Sequence, residues 1–440
     1  MSAVAVQDPG VSAATAASMF DAAGTPLRDA TRRLCKFCHA PLSHRLVDLG
    51  MQPLSNALRR PDQADAMEPF YPLRALVCAR CLLVQAPDFE AAEDIFSAEY
   101  PYFSSVTAAW VEHARRFADA SIARFGLGSD SRVVEVASND GYLLRWYRDR
   151  GIPVLGIEPT ASTAAAAEAI GIPVERRFFG RDTAIALRER GFMADLMPAN
   201  NVVAHVPDIV DFVSGFRELL KPGGVASFEF HHLLELLELN QFDTIYHEHY
   251  YYHSLGTFRR ILERCGLGVF DVEELPTHGG SLRVYAQHTD TGLQPISASV
   301  ERVMAAEQAA GLDRIETYAE FGQRVAGCKR RILRFLCQAK DEGRKICAIG
   351  APAKGNTLLN YLGVGTDFID FTIEHNPHKQ GLLLPGTGIP VRPPDELVAA
   401  RPDYVIVLPW NWIDEAMDRM SVVREWGGRF VILIPEVVVR

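Results

Sequence analysis

Residues 241–255, QFDTIYHEHYYYHSL, hold four tyrosines, three histidines and a glutamate, and three chemistries compete for them. A metal site would use His247 and His249, but their spacing is not the helical H-E-x-x-H pattern and further ligands would have to come from elsewhere. An aromatic core would bury the rings and satisfy the histidines locally. An acid–base device suits the residue types best. Histidine titrates near neutrality, Glu248 can set its tautomer, and Tyr246 can donate to a developing oxyanion. Such a group can take a proton from a carbon beside a carbonyl. The resulting enolate is a carbon nucleophile, and an activated methyl donor is its natural partner.

Metal chemistry is written elsewhere in the chain. Cys35-Lys36-Phe37-Cys38 and Cys78-Ala79-Arg80-Cys81 are two C-x-x-C turns, and four thiolates so spaced can close a tetrahedral shell around one Zn²⁺. A closed shell has no open position, so the metal is expected to be structural. His39 or His44 could replace a cysteine, though neither is needed. Cys265, Cys328, Cys337 and Cys347 are scattered and read as packed thiols. The loop VDLGMQPLSNALRRPDQADAMEPFYPL between the pairs is not basic, and the formal charge of −10 argues against nucleic-acid binding.

At 440 residues the chain exceeds one core, so several domains are expected. The reading is an α/β protein: a disordered leader over 1–30, a zinc-binding domain over 31–90, a Rossmann-like domain over 91–292, whose cofactor the motifs below address, and a second Rossmann-like domain over 293–440. No run approaches 18 apolar residues, so no membrane span is expected, and the leader is not a secretory signal. The expected compartment is the cytoplasm. In the central region the strand RVVEVAS, the turn Asn139-Asp140-Gly141, a helix and the strand PVLGIEP place Glu158 about twenty residues after the first strand end. That spacing suits a nucleoside: a tight turn exposes backbone N–H groups and an acid accepts ribose hydroxyls. Without G-x-G-x-x-G a pyrophosphate is poorly served, and an adenosyl cofactor fits better. Candidate cofactor contacts are Glu135, Ala137, Ser138, Asn139, Gly141, Glu158, Pro159 and Asn201. The turn Lys221-Pro222-Gly223-Gly224 before a later strand supports the same reading. In the last region the loop after KICAIGA brings Lys354 to a helix start, where it could hold a phosphate, although the loop could equally be a plain connection.

With these residues assembled, the chain resembles the bacterial nucleotide-sugar C-methyltransferases of deoxysugar biosynthesis from about Cys35 to the C-terminus. The matching stretches run in the family's order: CKFC…LGMQPLSN…YPL…CARCLLVQ, EYPYFSS, EVASNDGYLL, GIEPTAS, NVVAHVPD, FDTIYHEHYYY, HGGSLRVY and GAPAKGNTLL. The resemblance implies that Cys35, Cys38, Cys78 and Cys81 bind zinc and that S-adenosylmethionine (SAM) is the cofactor. It implies His249 as the base that removes the C-3 proton of a 4-keto sugar. Tyr246, Glu248, Tyr100 and His205 would orient the sugar or stabilise the enolate. His247, Lys354, Asn356, Gly279 and Gly280 are candidate substrate contacts. Ala137 stands where the family usually has glycine, and His253 where an aromatic or small residue is common.

The expected function is therefore SAM-dependent C-methylation of a nucleotide-linked, thymidine-diphosphate-type 4-keto-deoxyhexose by a monomer with no nucleic-acid or membrane partner. An O- or N-methyltransferase, or a zinc-containing binding protein without activity, are the competing readings.

Overall fold

The computed structural model describes residues 34–89 and 103–440, so the leader and Tyr100 lie outside the described residues. Three sheets organise the chain. The first contains β1 (His44–Gln52), β2 (Tyr71–Val77) and β3 (Val84–Gln85) in an antiparallel meander. β1 and β2 alternate only in part, because Leu46, Val47, Leu49, Leu73, Ala75 and Val77 are buried on more than one side. One face of this small sheet joins the core of the C-terminal unit, and the knuckle side joins the core of the central unit.

The central sheet contains β4 (Val133–Val136), β5 (Val154–Ile157), β6 (Val174–Glu175), β7 (Ala194–Asn200) and β8 (Leu220–His231), all parallel. Between β8 and the helix Leu255–Arg264, the short strand β9 (Tyr251–Tyr252) leaves this unit and pairs antiparallel with β3 of the first sheet. The aromatic run therefore supplies the fourth strand of the zinc-side sheet. β10 (Leu267–Leu275) and β11 (Ser281–His288) return antiparallel along the edge, giving the order β10-β11-β8-β7-β4-β5-β6. β4 is buried throughout, as a strand covered on both faces requires.

The helix Ala108–Phe125 buries Trp110, Ala114, Phe117, Ala118 and Ser121 along one stripe and stops at Gly126, whose φ of 60° makes a left-handed cap. Under β8, Phe216, Phe228, Phe230 and Phe258 meet edge-on or tilted. Each such ring contributes roughly 1.5–3 kcal/mol by burial. Lys221-Pro222-Gly223-Gly224 is not a free turn. It lies inside β8, where Ala194 pairs with Leu220 but Leu196 with Val225, so these four residues bulge from the ladder.

The C-terminal sheet has the order β14-β13-β12-β15-β16-β17. Its parallel strands are β12 (Ile346–Ile349), β13 (Thr372–Ile373), β14 (Val391–Arg392), β15 (Tyr404–Val407) and β16 (Arg429–Ile432), with antiparallel β17 (Val438–Val439) at the edge. The helical stretch that the sequence assigns wholly to this unit splits in two. The helix Ala298–Ala309 puts Val300 and Val303 into the central core, whereas Phe321–Asp341 packs Val325, Cys328 and Ile332 against the C-terminal sheet and β1. By packing, the change of unit comes after this first helix. Cys328 and Cys347 are buried thiols as expected, but Cys337 is exposed. No helix among the described residues is long and apolar enough to cross a membrane.

The central and C-terminal units close on each other at the 277–280 turn. A Cβ built on Gly279 would lie 2.4 Å from the Trp410 ring, and Gly279 has a φ of 90°. Gly279→Ala is expected to lower stability by about 2–4 kcal/mol, combining a left-handed alanine with overpacking. Urea denaturation of the full chain checks this.

Candidate active site and metal centre

The two C-x-x-C turns fold alike. In the first, Cys35 N–H donates to Ala40 O at 2.8 Å and His39 N–H to Cys35 O at 2.9 Å; in the second, Cys78 N–H donates to Leu83 O at 3.1 Å and Leu82 N–H to Cys78 O at 2.8 Å. His39 and Leu82 both take positive φ, 57° and 60°, to close these knuckles. The four sulfurs lie within 4.8 Å of one another, with Cys35–Cys81 at 3.5 Å and Cys38–Cys78 at 3.4 Å. Zn–S bonds of about 2.3 Å in a tetrahedron call for similar separations, so the four cysteines fit the ion, without His39 or His44. Gln85 ties this centre to the aromatic run. Its side chain donates to Cys35 Sγ at 3.2 Å and accepts from Lys36 N at 2.9 Å, while its backbone pairs with Tyr251.

At the C-terminal edge of the central sheet, the turn after β4 carries three positive-φ residues: Ala137 (56°), Asn139 (49°) and Gly141 (78°). Ala137 therefore occupies a conformation that glycine would adopt without cost. Glu158, at the end of β5, accepts from Asn139 N and Thr160 N, each at 2.9 Å. Each oxygen keeps a lone pair that can take a ribose hydroxyl. Pro159 follows it, partly exposed. Glu135 is buried on β4, and burial pushes its carboxyl well above the usual range. Ser138 Oγ, Asp140 Oδ1 and Asn200 Oδ1 are buried without a hydrogen-bond partner among the described residues, and Asn201 has a φ of 53°. A turn lined with unspent polar atoms fits an adenosyl group with an amino-acid tail, and these residues would hold SAM.

The run 241–255 begins with the 3₁₀ turn Phe242–Thr244 and ends at Ser254, which caps the next helix by accepting from Thr257 N. Between them His249 Nδ1 lies 2.8 Å from Thr244 O. A carbonyl only accepts, so Nδ1 carries the proton and Nε2 the lone pair. The ring is partly exposed, packs on Tyr246 at 3.9 Å between centroids, and meets His205 edge-on at 4.6 Å. Burial is the main cause that holds His249 well below 6.5, aided by neighbouring His205, and lowers His205 to about 4. Both are neutral at physiological pH. Glu248 is buried and accepts from Asn56 Nδ2 at 2.6 Å, so the first unit also reaches this cleft. His247 points elsewhere: it is buried between Tyr71 and Phe89, 5.9 and 6.2 Å away by ring centroid. His253 is buried among Phe230, Phe258 and Tyr251. Both shape the fold around the cleft.

The C-terminal unit forms the opposite wall. Lys354, at the start of the helix Ala353–Leu362, lies over the Trp410 ring at 4.0 Å and bonds Asn411. Trp410 Nε1 in turn donates to Asp243 at 2.7 Å. Burial lowers Lys354 to about 8, with Asp243 opposing, and raises Asp243 to about 6. Asn356 is buried and donates to Ser55 O at 2.7 Å, so its amide braces the loop that carries Asn56. Glu374, at the end of β13, repeats the arrangement of Glu158. It accepts from Ala351 N, in the turn after β12, at 2.9 Å and from Asn376 N at 3.0 Å. The sequence reading passed over Glu374, although an acid after the second strand of an α/β unit was the signal used for Glu158.

Because β9 is part of the sheet that the knuckles organise, zinc supports the cleft as well as its own unit. Chelation, or Cys81→Ser, is expected to lower the melting temperature and to abolish methyl transfer together. Calorimetry and activity measured on one sample check this; full activity of zinc-free protein would contradict it.

Comparison with known proteins divides the chain into three parts, with the third beginning before the helix Ala298–Ala309. Family models match in order: a zinc binding domain over residues 35–96, a methyltransferase domain over 110–272 and a C-methyltransferase C-terminal domain over 276–435. The chain is 33% identical to C-methyltransferase NovU of Streptomyces niveus over 402 residues, covering 91% of this chain and 95% of that protein. Among solved structures, an S-adenosylmethionine dependent methyltransferase from Mesorhizobium loti aligns at 18% identity over 44% of this chain and 98% of its own, with a TM-score of 0.31. A 1,6-didemethyltoxoflavin-N1-methyltransferase from Burkholderia thailandensis aligns at 16% over 47% of this chain and 96% of its own, with a TM-score of 0.35. The identity to NovU across nine-tenths of the chain, with all three models in sequence, shows that the protein belongs to the C-methyltransferase family, as a SAM-dependent enzyme with a zinc-binding N-terminal domain.

Proposed function

We propose that the enzyme methylates the carbon beside the ketone of a nucleotide-linked 4-keto-deoxyhexose, at C-3 of a thymidine-diphosphate sugar. The observation that carries this reading is the 2.8 Å bond from His249 Nδ1 to Thr244 O, which commits Nε2 to accepting a proton. Methylation of a hydroxyl or amine, already nucleophilic, needs no such carbon acid chemistry. In the proposed reaction Nε2 takes the C-3 proton and the carbonyl π electrons move onto oxygen. Tyr246, packed on the imidazole, and His205, edge-on to it, hold His249 in place and border the same cleft. Bound SAM supplies an electrophilic methyl group.

Glu374 and Lys354 support a nucleotide on the C-terminal wall. Glu374 has spare lone pairs for a sugar hydroxyl, and Lys379, which donates to Ala351 O at 2.8 Å, stands close to the charges of both Glu374 and Glu248. Lys354 can turn from Asn411 to a diphosphate oxygen. Gly279 and Gly280 are packed against Trp410 and Glu235, so they bring the two walls together rather than touch the sugar themselves.

In deuterated water without SAM, the wild-type enzyme is expected to exchange the C-3 proton of such a substrate, and His249→Ala to slow exchange and methylation together by about 10²–10⁴-fold. Retention of both rates in that variant removes His249 as the base. The pH profile gives a second check. A lowered imidazole keeps its lone pair as the medium becomes more acidic, so once Lys354 is charged, below about pH 7.5, kcat/KM is expected not to fall on the way down to about 6.5, the ordinary histidine value. A fall centred at or above that value would contradict a base that is neutral throughout this range.

A further inference from the structure

Residues with positive φ that are not glycine lie mostly where the chain builds a site: His39 and Leu82 in the knuckles, and Ala137, Asn139 and Asn201 around the cofactor turn. His278 is another, at φ 56° and ψ 16°, and it belongs to neither the knuckles nor the cofactor turn. For a histidine this conformation is strained, and strain persists only where the surroundings over-determine it. They do so here. Thr277 Oγ1 donates to Glu229 at 3.1 Å, Gln241 Nε2 donates to Gly279 O at 2.7 Å, and His232 N–H donates to Gly280 O at 3.0 Å. Cβ atoms on Gly279 and Gly280 would lie 2.4 Å from Trp410 and Glu235 respectively. The turn is clamped on every side, and what the clamp displays is the imidazole.

His278 stands close enough to His249 and to Lys354 for their charges to act on one another. Ser281, three residues on, pairs with His231 at the end of β8, so the turn stands on the carboxyl edge of the central sheet, the same edge that carries the cofactor turn two strands further on. Gln241, which holds Gly279, lies three residues before Thr244, whose carbonyl holds His249. The His278 ring meets Trp110 edge-on at 5.2 Å, with no hydrogen bond to either nitrogen among the described residues. Nδ1 is buried. Orphaned N–H groups are rarer than under-used acceptors, which assigns the lone pair to Nδ1 and the proton to Nε2. Burial lowers the group to about 4, so it is a neutral donor.

We propose that His278 is a further catalytic residue whose Nε2–H donates to the ketone oxygen of the substrate as negative charge develops there. The inference rests on the carbon acid reaction proposed for His249 and names its oxyanion partner. As the C–H bond breaks, its electron pair becomes the enolate double bond, the carbonyl π pair moves onto oxygen, and the proton passes to His249 Nε2. The His278 proton stays on nitrogen throughout and is only shared with the oxygen. The enolate pair would form the new carbon–carbon bond to the methyl group as the sulfur–methyl bond breaks and its pair stays on sulfur, giving neutral S-adenosylhomocysteine; the carbonyl then returns and that hydrogen bond weakens. Since it is stronger to the enolate than to the ketone, it accelerates the reaction.

The test uses the full-length zinc-loaded enzyme, a nucleotide-linked 4-keto-deoxyhexose, and the variants His278→Gly and His278→Asn. Glycine removes both the strain and the donor. His278→Gly is expected to raise the melting temperature, leave SAM affinity by calorimetry within twofold, and slow deuterium exchange and kcat by about 10²–10³-fold, as loss of one oxyanion donor does. Asparagine tolerates this backbone and keeps an N–H donor, so His278→Asn should recover part of the loss. Exchange in His278→Gly within about threefold of wild type overturns the proposal. So does loss of activity accompanied by a lower melting temperature and lost SAM binding in both variants, which marks a structural residue. A wild-type enzyme that neither exchanges nor methylates the ketone brings down the carbon acid reading itself, and this inference with it.

Discussion

Two residues of antiparallel pairing, Tyr251–Tyr252 against Val84–Gln85, hold the cleft together. Through them the run that contains His249 leaves the methyltransferase unit and becomes an edge of the zinc-side sheet. Backbone pairing fixes register, and a slip of one residue would turn every side chain to the other face. The same stretch is tied in three further directions: Tyr250 N–H to Ala204 O beside His205 at 2.7 Å, Glu248 to Asn56, and Asp243 to Trp410. All three units thus meet in fifteen residues. A zinc ion held by the four cysteines would be linked to the cleft through Gln85, which bonds Cys35 and pairs with Tyr251.

The two α/β units solve one problem twice. Glu158 and Glu374 each end the strand next to the first in their sheet, and each accepts a backbone N–H from the turn after that first strand and another from the residue two positions on. A carboxylate held in this way is pre-oriented, so little entropy is lost when a hydroxyl arrives. The units differ in the turn that faces this carboxylate. In the central unit it bends through three left-handed residues and keeps polar atoms unspent, whereas the C-terminal turn leads directly into a helix with Lys354 at its start. The first arrangement suits an adenosyl group without phosphates. The second suits an anion.

Much of this was legible along the chain, for identifiable reasons. Zinc ligation depends on spacing within two short turns, so Cys35, Cys38, Cys78 and Cys81 could be read before any fold was known. The β-turn-helix-β rhythm exposed both α/β units, and Glu158 followed from its distance to the first strand. Less legible were the helix Ala298–Ala309, whose amphipathic pattern records that it is half-buried but not against which unit, and Lys221-Pro222-Gly223-Gly224, whose turn-like composition is absorbed as a bulge in β8. Spacing alone could not separate His247 from His249, since residues two apart in an irregular run carry no periodicity, and only the resemblance distinguished them.

The sequence by itself determined the chemistry that depends on local spacing: the closed four-sulfur shell, the nucleoside-type turns, and a histidine-rich run suited to moving a proton. Only the tertiary structure told these histidines apart by their surroundings. It turned His247 into a wall between Tyr71 and Phe89, set His249 Nδ1 on Thr244 O, and clamped His278 in the left-handed region that residues other than glycine seldom adopt. The physical reason is that an imidazole's tautomer and exposure are fixed by the groups that pack on it, and here those groups come from all three units.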